Sequence, residues 1–174
     1  MRTKELTHAI AIERLEREII ARAASPAAAR GELNARASEA NRRRVPDDIT
    51  VESVAELGVR GEWVSSPFDT EGRRIIFVHG GAFAFGSPAQ SRELVARIAR
   101  SAHTSVLSIE QRVAPEYGVP AALDDVLAAF RWLVEQGVAA REIALAGQST
   151  GGDSPASRRA SAAASAMPPP GAIA

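Results

Sequence analysis

Two short apolar segments of this sequence each end in a glycine-rich stretch, and this pattern restricts the fold more than any other feature. Residues 75–78 lead into His79-Gly80-Gly81, and residues 143–146 lead into a stretch with glycines at both ends. A continuous apolar run without polar alternation is typical of a central parallel strand, because such a strand is buried on both faces. Helical patterns separate the apolar runs, so the sequence predicts an α/β domain with a mostly parallel sheet and flanking helices.

The segment before residue 45 has apolar residues at helical spacing. We expect a first helix at about residues 4–22 and a second from Pro26 towards Asn41. A β-hairpin around Gly58 to Gly61 is predicted next. The resulting organisation is a helical segment at 1–44, an α/β core at 45–152 and an Ala/Ser/Pro-rich tail at 153–174.

Composition excludes several classes of function. Basic and acidic side chains number 21 each, so the net charge gives no support for nucleic acid or an anionic membrane as a partner. The sequence has no cysteine, which excludes disulfides, thiolate chemistry and cysteine-ligated metals. Charged residues interrupt every apolar stretch near the N-terminus, and no later window is long enough to span a membrane. We therefore expect a soluble, cytoplasmic protein.

The stretch after the second apolar run fits the pattern G-x-S-x-G, with Ser149 at its centre. The same glycines have the spacing of a phosphate-binding loop, but Asp153 occupies the position of the phosphate-binding lysine and would repel phosphate. In the G-x-S-x-G pattern the serine lies on a strained turn between strand and helix, and small neighbours keep that turn free of clashes. Ser149 is therefore a candidate nucleophile. The alternative is an ordinary glycine-rich βα turn that contains a serine.

The stretch after the first apolar run predicts a second part of the same site. Gly80 and Gly81 would expose backbone N–H groups that can stabilise the oxyanion formed during acyl transfer. The alternative is a flexible βα loop in which His79 packs or caps. A His-Gly-Gly loop followed later by G-x-S-x-G is more specific than either motif alone.

These motifs resemble the hormone-sensitive-lipase-like branch of the α/β-hydrolases, which includes bacterial carboxylesterases and acetyl hydrolases. The resemblance covers about residues 45–152. The family's HGGG block stands here as HGGA, ending at Ala82; its YRLAPE block stands as QRVAPE at 111–116; and its GDSAGG block stands as GQSTGG at 147–152. The departures include Gln148 before the serine and Thr150 after it.

The resemblance implies an α/β-hydrolase fold with a truncated sheet and N-terminal cap helices. It implies a serine carboxylic-ester hydrolase, esterase- or lipase-like, whose substrate is a small-molecule acyl ester and which needs no cofactor or metal. Ser149 would be the nucleophile, and the N–H groups of Gly80, Gly81 and Thr150 would form the oxyanion hole. His79 and Ala82 would belong to the oxyanion-loop motif.

The family's catalytic aspartate and histidine follow the serine in the chain, and this sequence stops before them. His8, His79 and His103 all precede Ser149, and Asp124 with Asp125 are interpreted as charges at a helix N-terminus. We therefore expect an incomplete or inactive fragment with negligible activity and poor stability. The alternatives are a non-catalytic, hydrolase-like small-molecule-binding protein and a degraded gene product without a stable fold. The oligomeric state is left open.

Residues 153–166 have the length of the apolar helix that follows the nucleophile in the family, but not its chemistry. Pro155, Arg158 and Arg159 stand where apolar residues are expected. Because the flanking residues match the family, two compensating frameshifts are predicted, in the gene or in its reading. The alternative is a genuine solvent-exposed Ala/Ser segment.

Overall fold

The computed structural model describes residues 2–41 and 44–152, with backbone alone for residues 2–10. The predictions made for 153–166, and for the tail 153–174 as a whole, lie outside these residues. None of the helices in the described ranges is long and apolar enough to cross a membrane.

The described chain alternates helices and strands in the order that the sequence predicts. The helices are α1 (Arg2–Arg22), α2 (Pro26–Asn41), α3 (Pro88–Ala102) and α4 (Val119–Glu135). The strands are β1 (Thr50–Glu56), β2 (Val59–Ser65), β3 (Arg74–Val78), β4 (Val106–Ile109) and β5 (Ile143–Gly147). Short 3₁₀ helices span Ala140–Glu142 and Ser149–Gly151. The predicted helices before residue 45 are present, the first beginning two residues earlier than expected.

The five strands form one mixed sheet in the order β1-β2-β4-β3-β5. Strands β4, β3 and β5 are parallel, whereas β1 and β2 form the predicted hairpin and β2 pairs antiparallel with β4. The hairpin turns at Leu57 and Gly58, whose φ angles of 47° and 84° suit a tight two-residue connection. The α/β fold with a parallel centre is therefore confirmed.

The apolar run of β3 is continuous because the strand contributes to a core on each face of the sheet. Ile76 belongs to a cluster with Phe130 of α4, and Phe77 belongs to a second cluster with Val95 of α3. All four side chains are at most 1% exposed. Successive residues of a strand point to opposite faces, so α4 and α3 cover opposite sides of the sheet.

Helices α1 and α2 form a third, smaller cluster next to the loop that follows β3. Ile19 of α1 packs with Ala29 and Leu33 of α2, and Phe85 packs against these buried residues. Phe85 belongs to the loop that begins with His79. The N-terminal helices therefore contact the glycine-rich loop directly.

Candidate active site

Ser149 lies on a tight turn directly after the carboxyl end of β5. Its φ angle of 52° places a non-glycine residue in the left-handed region, which costs L-residues energy. The turn is closed by hydrogen bonds from the N–H of Gly151 to the carbonyl of Gln148 (2.9 Å) and from the N–H of Gly152 to that of Ser149 (3.0 Å). The strained turn predicted from the G-x-S-x-G pattern is therefore present, and Ser149 is exposed.

Both glycines of the pattern are required by close backbone contacts. A Cβ atom on Gly147 would lie 2.5 Å from the carbonyl carbon of Gly151, and one on Gly151 would lie 2.2 Å from the carbonyl oxygen of Val78. The N–H of Gln148 also donates to the Val78 carbonyl at 3.1 Å. The turn is therefore packed against the end of β3, where the other glycine cluster begins.

The His-Gly-Gly loop and the serine turn lie side by side. A Cβ atom on Gly80 would lie 2.8 Å from the carbonyl oxygen of Gln148 and 3.2 Å from the Cβ of Ser149. Gly81 has a φ angle of 119°, and a Cβ there would lie 2.4 Å from the carbonyl group of Phe85. The absence of a side chain at Gly80 lets the loop backbone approach Ser149, and its absence at Gly81 lets the loop turn back onto Phe85.

The side chain of His79 packs on the buried side of this loop and is shielded from solvent. It is 1% exposed, and its Nδ1 lies 2.8 Å from the carbonyl oxygen of Gly80. A carbonyl oxygen only accepts hydrogen bonds, so Nδ1 carries the proton and donates it. Burial lowers the pKa of His79, which keeps the ring neutral. His79 therefore packs within the loop, and this geometry is not that of a base for Ser149.

A cavity of about 360 Å³ opens beside Ser149. Its walls come from the turn, the glycine-rich loop, the start of α3 and the two N-terminal helices, and they comprise Glu16, Ile20, Leu33, Gly80, Gly81, Ala82, Phe85, Gly86, Gln90, Ser91, Gln148 and Ser149. The structure thus brings four of the predicted site residues together around one cavity: Gly80, Gly81, Ala82 and Ser149. Thr150 adjoins Ser149 in the chain, and its hydroxyl is buried without a hydrogen-bond partner in the described structure.

One carboxylate of the cavity wall comes from helix α1. The pKa of Glu16 is raised, first because nearby protein atoms displace water from the carboxyl group and second because of the negative charge of Glu13. Ile20, Leu33 and Phe85 make the neighbouring wall apolar. The N-terminal helices therefore shape the space in which a ligand of Ser149 would lie.

His103 and the paired aspartates do not line this cavity. His103 caps the C-terminus of α3, before the amino end of β4, and so lies at the opposite end of the parallel strands from Ser149. The side chain of His8 lies outside the described residues. The interpretation of Asp124 and Asp125 as charges at the helix N-terminus is wrong, because α4 begins at Val119 and has no acidic residue in its first turn. Asp125 instead accepts hydrogen bonds from the backbone N–H of Arg112 (2.7 Å) and from its guanidinium (2.9 Å).

Within residues 11–41 and 44–152, whose side chains the structure describes, no group of three or more His, Asp or Glu side chains is placed to hold a metal ion. The residues that α1 and α2 contribute near Ser149 were not predicted from the sequence. The sequence does contain a pattern that indicates a contact face on α2, because the polar residues Arg30, Asn34 and Asn41 recur on one helical face. Each of them hydrogen-bonds to a residue of another element.

Known proteins are similar to this chain in both sequence and fold. The chain is 37% identical over 133 residues to an acetyl-hydrolase of Streptomyces hygroscopicus, which covers 69% of this chain and 44% of the relative. It is 38% identical over 85 residues to an ethyl acetate hydrolase of Pseudomonas putida, covering 47% and 27% of the two chains. The chain therefore spans less than half the length of these relatives.

Solved structures of esterases also resemble this chain. An esterase/lipase from an uncultured bacterium superposes with a TM-score of 0.65 at 32% identity, covering 80% of this chain and 48% of the other. An esterase of the bacterial hormone-sensitive lipase family gives 0.66 at 32% identity, covering 80% and 47%. A family model described as the alpha/beta hydrolase fold matches residues 75–170, more than half of the chain. The chain therefore belongs to the alpha/beta hydrolase fold family, and its resemblance to the hormone-sensitive-lipase-like branch is confirmed.

Proposed function

We propose that Ser149 is the nucleophile of a carboxylic-ester hydrolase. The observation that carries this proposal is the left-handed backbone of Ser149 in direct contact with Gly80. Strain of this kind at an exposed serine costs free energy, and such strain is concentrated at functional sites. An ordinary glycine-rich turn would not require a serine there.

The oxyanion hole of the proposed site is formed by the backbone N–H groups of Gly80, Gly81 and Thr150. Attack of the Ser149 oxygen on an ester carbonyl places negative charge on the carbonyl oxygen, and preorganised N–H donors stabilise that charge. Gly80 supports this assignment because its backbone lies against the Ser149 turn. Ala82 lines the cavity, while His79 fixes the loop from its buried side.

Small acyl esters are the proposed substrates. The cavity beside Ser149 has a volume of about 360 Å³ and one apolar wall, formed by Ile20, Leu33 and Phe85, which suits a short acyl chain. Two relatives carry the names acetyl-hydrolase and ethyl acetate hydrolase.

In this proposal residues 1–44 are part of a cap over the site and 45–152 are part of the catalytic core. A cytoplasmic location and the lack of a nucleic-acid partner stay predictions.

The general base is the part of this machinery that the described residues do not supply. In serine hydrolases a histidine takes the proton of the serine hydroxyl, and an acid orients that histidine. Among the described side chains, His79 is buried in the loop and His103 lies at the far end of the strands. For the 174-residue polypeptide alone we therefore expect negligible turnover, because a serine without a base is a weak nucleophile.

Acylation of Ser149 in the presence of an added base tests the proposal without requiring turnover. The polypeptide is incubated with p-nitrophenyl acetate, with and without imidazole, and the acetylated peptide is identified by mass spectrometry. We expect imidazole-dependent acetylation at Ser149 that Ser149→Ala abolishes. The matched control is Ser101→Ala, which makes the same change at an exposed serine at the end of α3.

Three outcomes are distinguished. Acetylation that does not depend on Ser149 contradicts the proposed nucleophile. Saturable binding of the ester without acylation, with or without imidazole, favours the alternative of a non-catalytic small-molecule-binding protein. A Ser149-dependent kcat of about 10 per second without imidazole supports the nucleophile and contradicts the expected lack of turnover, since this value is typical of complete enzymes.

A further inference from the structure

Arg30 of helix α2 joins three separate parts of the chain near the proposed site. Its Nη1 donates to the carbonyl oxygen of Ala84 at 3.0 Å and to that of Ala114 at 3.1 Å. Its Nη2 forms an ion pair with Glu116. The Arg30 side chain is only 16% exposed, so these contacts are partly shielded from solvent. A guanidinium group is planar and presents several donors in fixed directions, which suits it to such a junction.

The two carbonyl groups belong to loops that follow neighbouring strands. Ala84 lies in the loop after β3, five residues beyond His79, and Ala114 lies in the loop after β4. The loops also contact each other, because the N–H of Ala114 donates to the carbonyl oxygen of Phe83 at 2.6 Å. Arg30 therefore adds the N-terminal helices to an existing contact between these loops.

The loop after β3 has a strained backbone that needs support from outside. Gly81, Ala82 and Phe83 have consecutive positive φ angles of 119°, 54° and 59°. The N–H groups of Ala84 and Phe85 both donate to the Gly81 carbonyl, at 3.0 and 2.9 Å. Strained conformations of this kind persist when the surrounding structure fixes them. The Ala84 carbonyl, which Arg30 holds, lies at the end of this turn.

We propose that Arg30 is a positioning residue for the oxyanion hole. By holding the Ala84 carbonyl, it keeps the turn from Gly81 to Phe85 closed and thereby keeps the Gly80 and Gly81 N–H groups against Ser149. The catalytic consequence rests on the proposed function, whereas the effect on the loop does not. Arg30 touches neither the substrate nor the reacting atoms in this role.

Other contacts of α2 support the role of this helix. Asn34, one turn after Arg30, accepts hydrogen bonds from the Ser87 hydroxyl at 2.6 Å and from Gln90 Nε2 at 2.9 Å. Between these two positions, Leu33 is buried in the cluster against which Phe85 packs. Helix α2 therefore holds the glycine-rich loop at two points, Arg30 at the Ala84 carbonyl and Asn34 at Ser87, where α3 begins.

Hydrogen exchange of the loop amides tests the proposal in the 174-residue chain. Arg30→Met removes the donors while keeping much of the side-chain volume. We expect the Ala84 and Phe85 amides to exchange roughly tenfold faster, because a buried charged hydrogen bond that restrains the loop is lost. The β3 amides should be unchanged. The matched control is Arg36→Met on the same helix, which breaks an exposed i,i+4 pair with Glu32.

The outcomes separate a positioning role from general stabilisation. Unchanged exchange at Ala84 and Phe85 overturns the proposal, and so does an equal acceleration in β3. If Arg30→Met does not fold, Arg30→Lys replaces it. Lysine keeps the charge but not the planar arrangement of donors, so exchange about threefold faster and confined to the loop is expected. Loop exchange equal to that of the unsubstituted chain then overturns the proposal.

A second readout connects Arg30 to acyl transfer. We expect Arg30→Met to slow the imidazole-dependent acetylation of Ser149 about tenfold or more, because oxyanion donors lose their alignment. The concentration of p-nitrophenyl acetate at which the acetylation rate saturates should be little changed by Arg30→Met. An unchanged acetylation rate together with faster loop exchange overturns the role in the oxyanion hole. If the unsubstituted chain is not acetylated, the proposed function fails, while the exchange experiment still decides whether Arg30 positions the loop.

Discussion

Ser149 has a backbone conformation that favours glycine. The resulting strain should be measurable in the free energy of unfolding. At a φ angle of 52° an L-residue is disfavoured by about 1–2 kcal/mol, while glycine has no such penalty. Glycine also loses more chain entropy on folding, which offsets about 0.5–1 kcal/mol. We therefore expect the free energy of unfolding of Ser149→Gly to be up to about 1.5 kcal/mol higher than that of Ser149→Ala. Urea denaturation measures this difference, and a less stable glycine variant would contradict it.

Gly151 is required for steric reasons. A Cβ atom there would lie 2.2 Å from the Val78 carbonyl oxygen and 2.6 Å from that of His79, and backbone atoms cannot move aside easily. We expect Gly151→Ala to lower the free energy of unfolding by about 1–3 kcal/mol or more. The control is Gly31→Ala in α2, where a Cβ meets nothing within 4 Å. Gly31→Ala should raise the free energy of unfolding by about 0.5–1 kcal/mol, because alanine is favoured over glycine inside a helix. Equal effects at both positions would rule out the steric argument.

Burial of His79 should make stability depend on pH. The pKa of His79 is lowered from its ordinary value of 6.5, mainly by burial, so below that pH the unfolded chain binds a proton that the folded chain does not. The contribution is complete above pH 6.5 and is lost as the pH falls towards the folded pKa. We expect a smaller free energy of unfolding at pH 5 than at pH 7, and a flatter profile for His79→Gln. An equally steep profile for His79→Gln would show that another group causes the pH dependence.

At the scale of elements, helix α3 and helix α2 are coupled through one serine. Ser87 is the N-cap of α3, where its hydroxyl accepts from the Gln90 N–H at 3.2 Å and donates to Asn34 at 2.6 Å. Loss of an N-cap costs about 1 kcal/mol. We expect Ser87→Ala and Asn34→Ala to destabilise by less together than the sum of the single changes, with a coupling of at least about 0.5 kcal/mol. Additive effects in a double-mutant cycle would show that the helices are independent.

The elements themselves were predictable because their signals are local. The apolar runs of β3 and β5 and the glycines that follow them are contiguous in the sequence. The position of both glycine stretches at one edge of the sheet also follows, since parallel strands have their carboxyl ends at the same edge. The polar face of α2 is visible in the sequence, but its partners were not predictable, because Arg30 bonds to residues 54 and 84 positions away. Asp125 was misread because its partner Arg112 lies in a loop whose course the sequence does not determine.

At the scale of the whole molecule, the two edges of the sheet differ in chemistry. The strand β1 forms one edge and has Glu52 and Glu56 exposed. The strand β5 forms the other edge within the described residues, and its sequence IALAG has no charged side chain. Charged residues on an edge strand discourage pairing with other chains, whereas an uncharged edge offers free N–H and carbonyl groups. The β5 edge should therefore be the place where copies of this chain associate.

A single lysine on β5 tests this difference between the edges. We expect the 174-residue chain to self-associate with rising concentration, and Ala144→Lys to shift that association to higher concentration, because an exposed ammonium group resists close pairing of backbones. Thr50→Lys, at an exposed position on β1, is the matched control and should leave the association unchanged. Sedimentation velocity over a range of concentrations measures both variants. A chain that stays monomeric throughout, or equal effects of the two lysines, would show that the β5 edge is already protected.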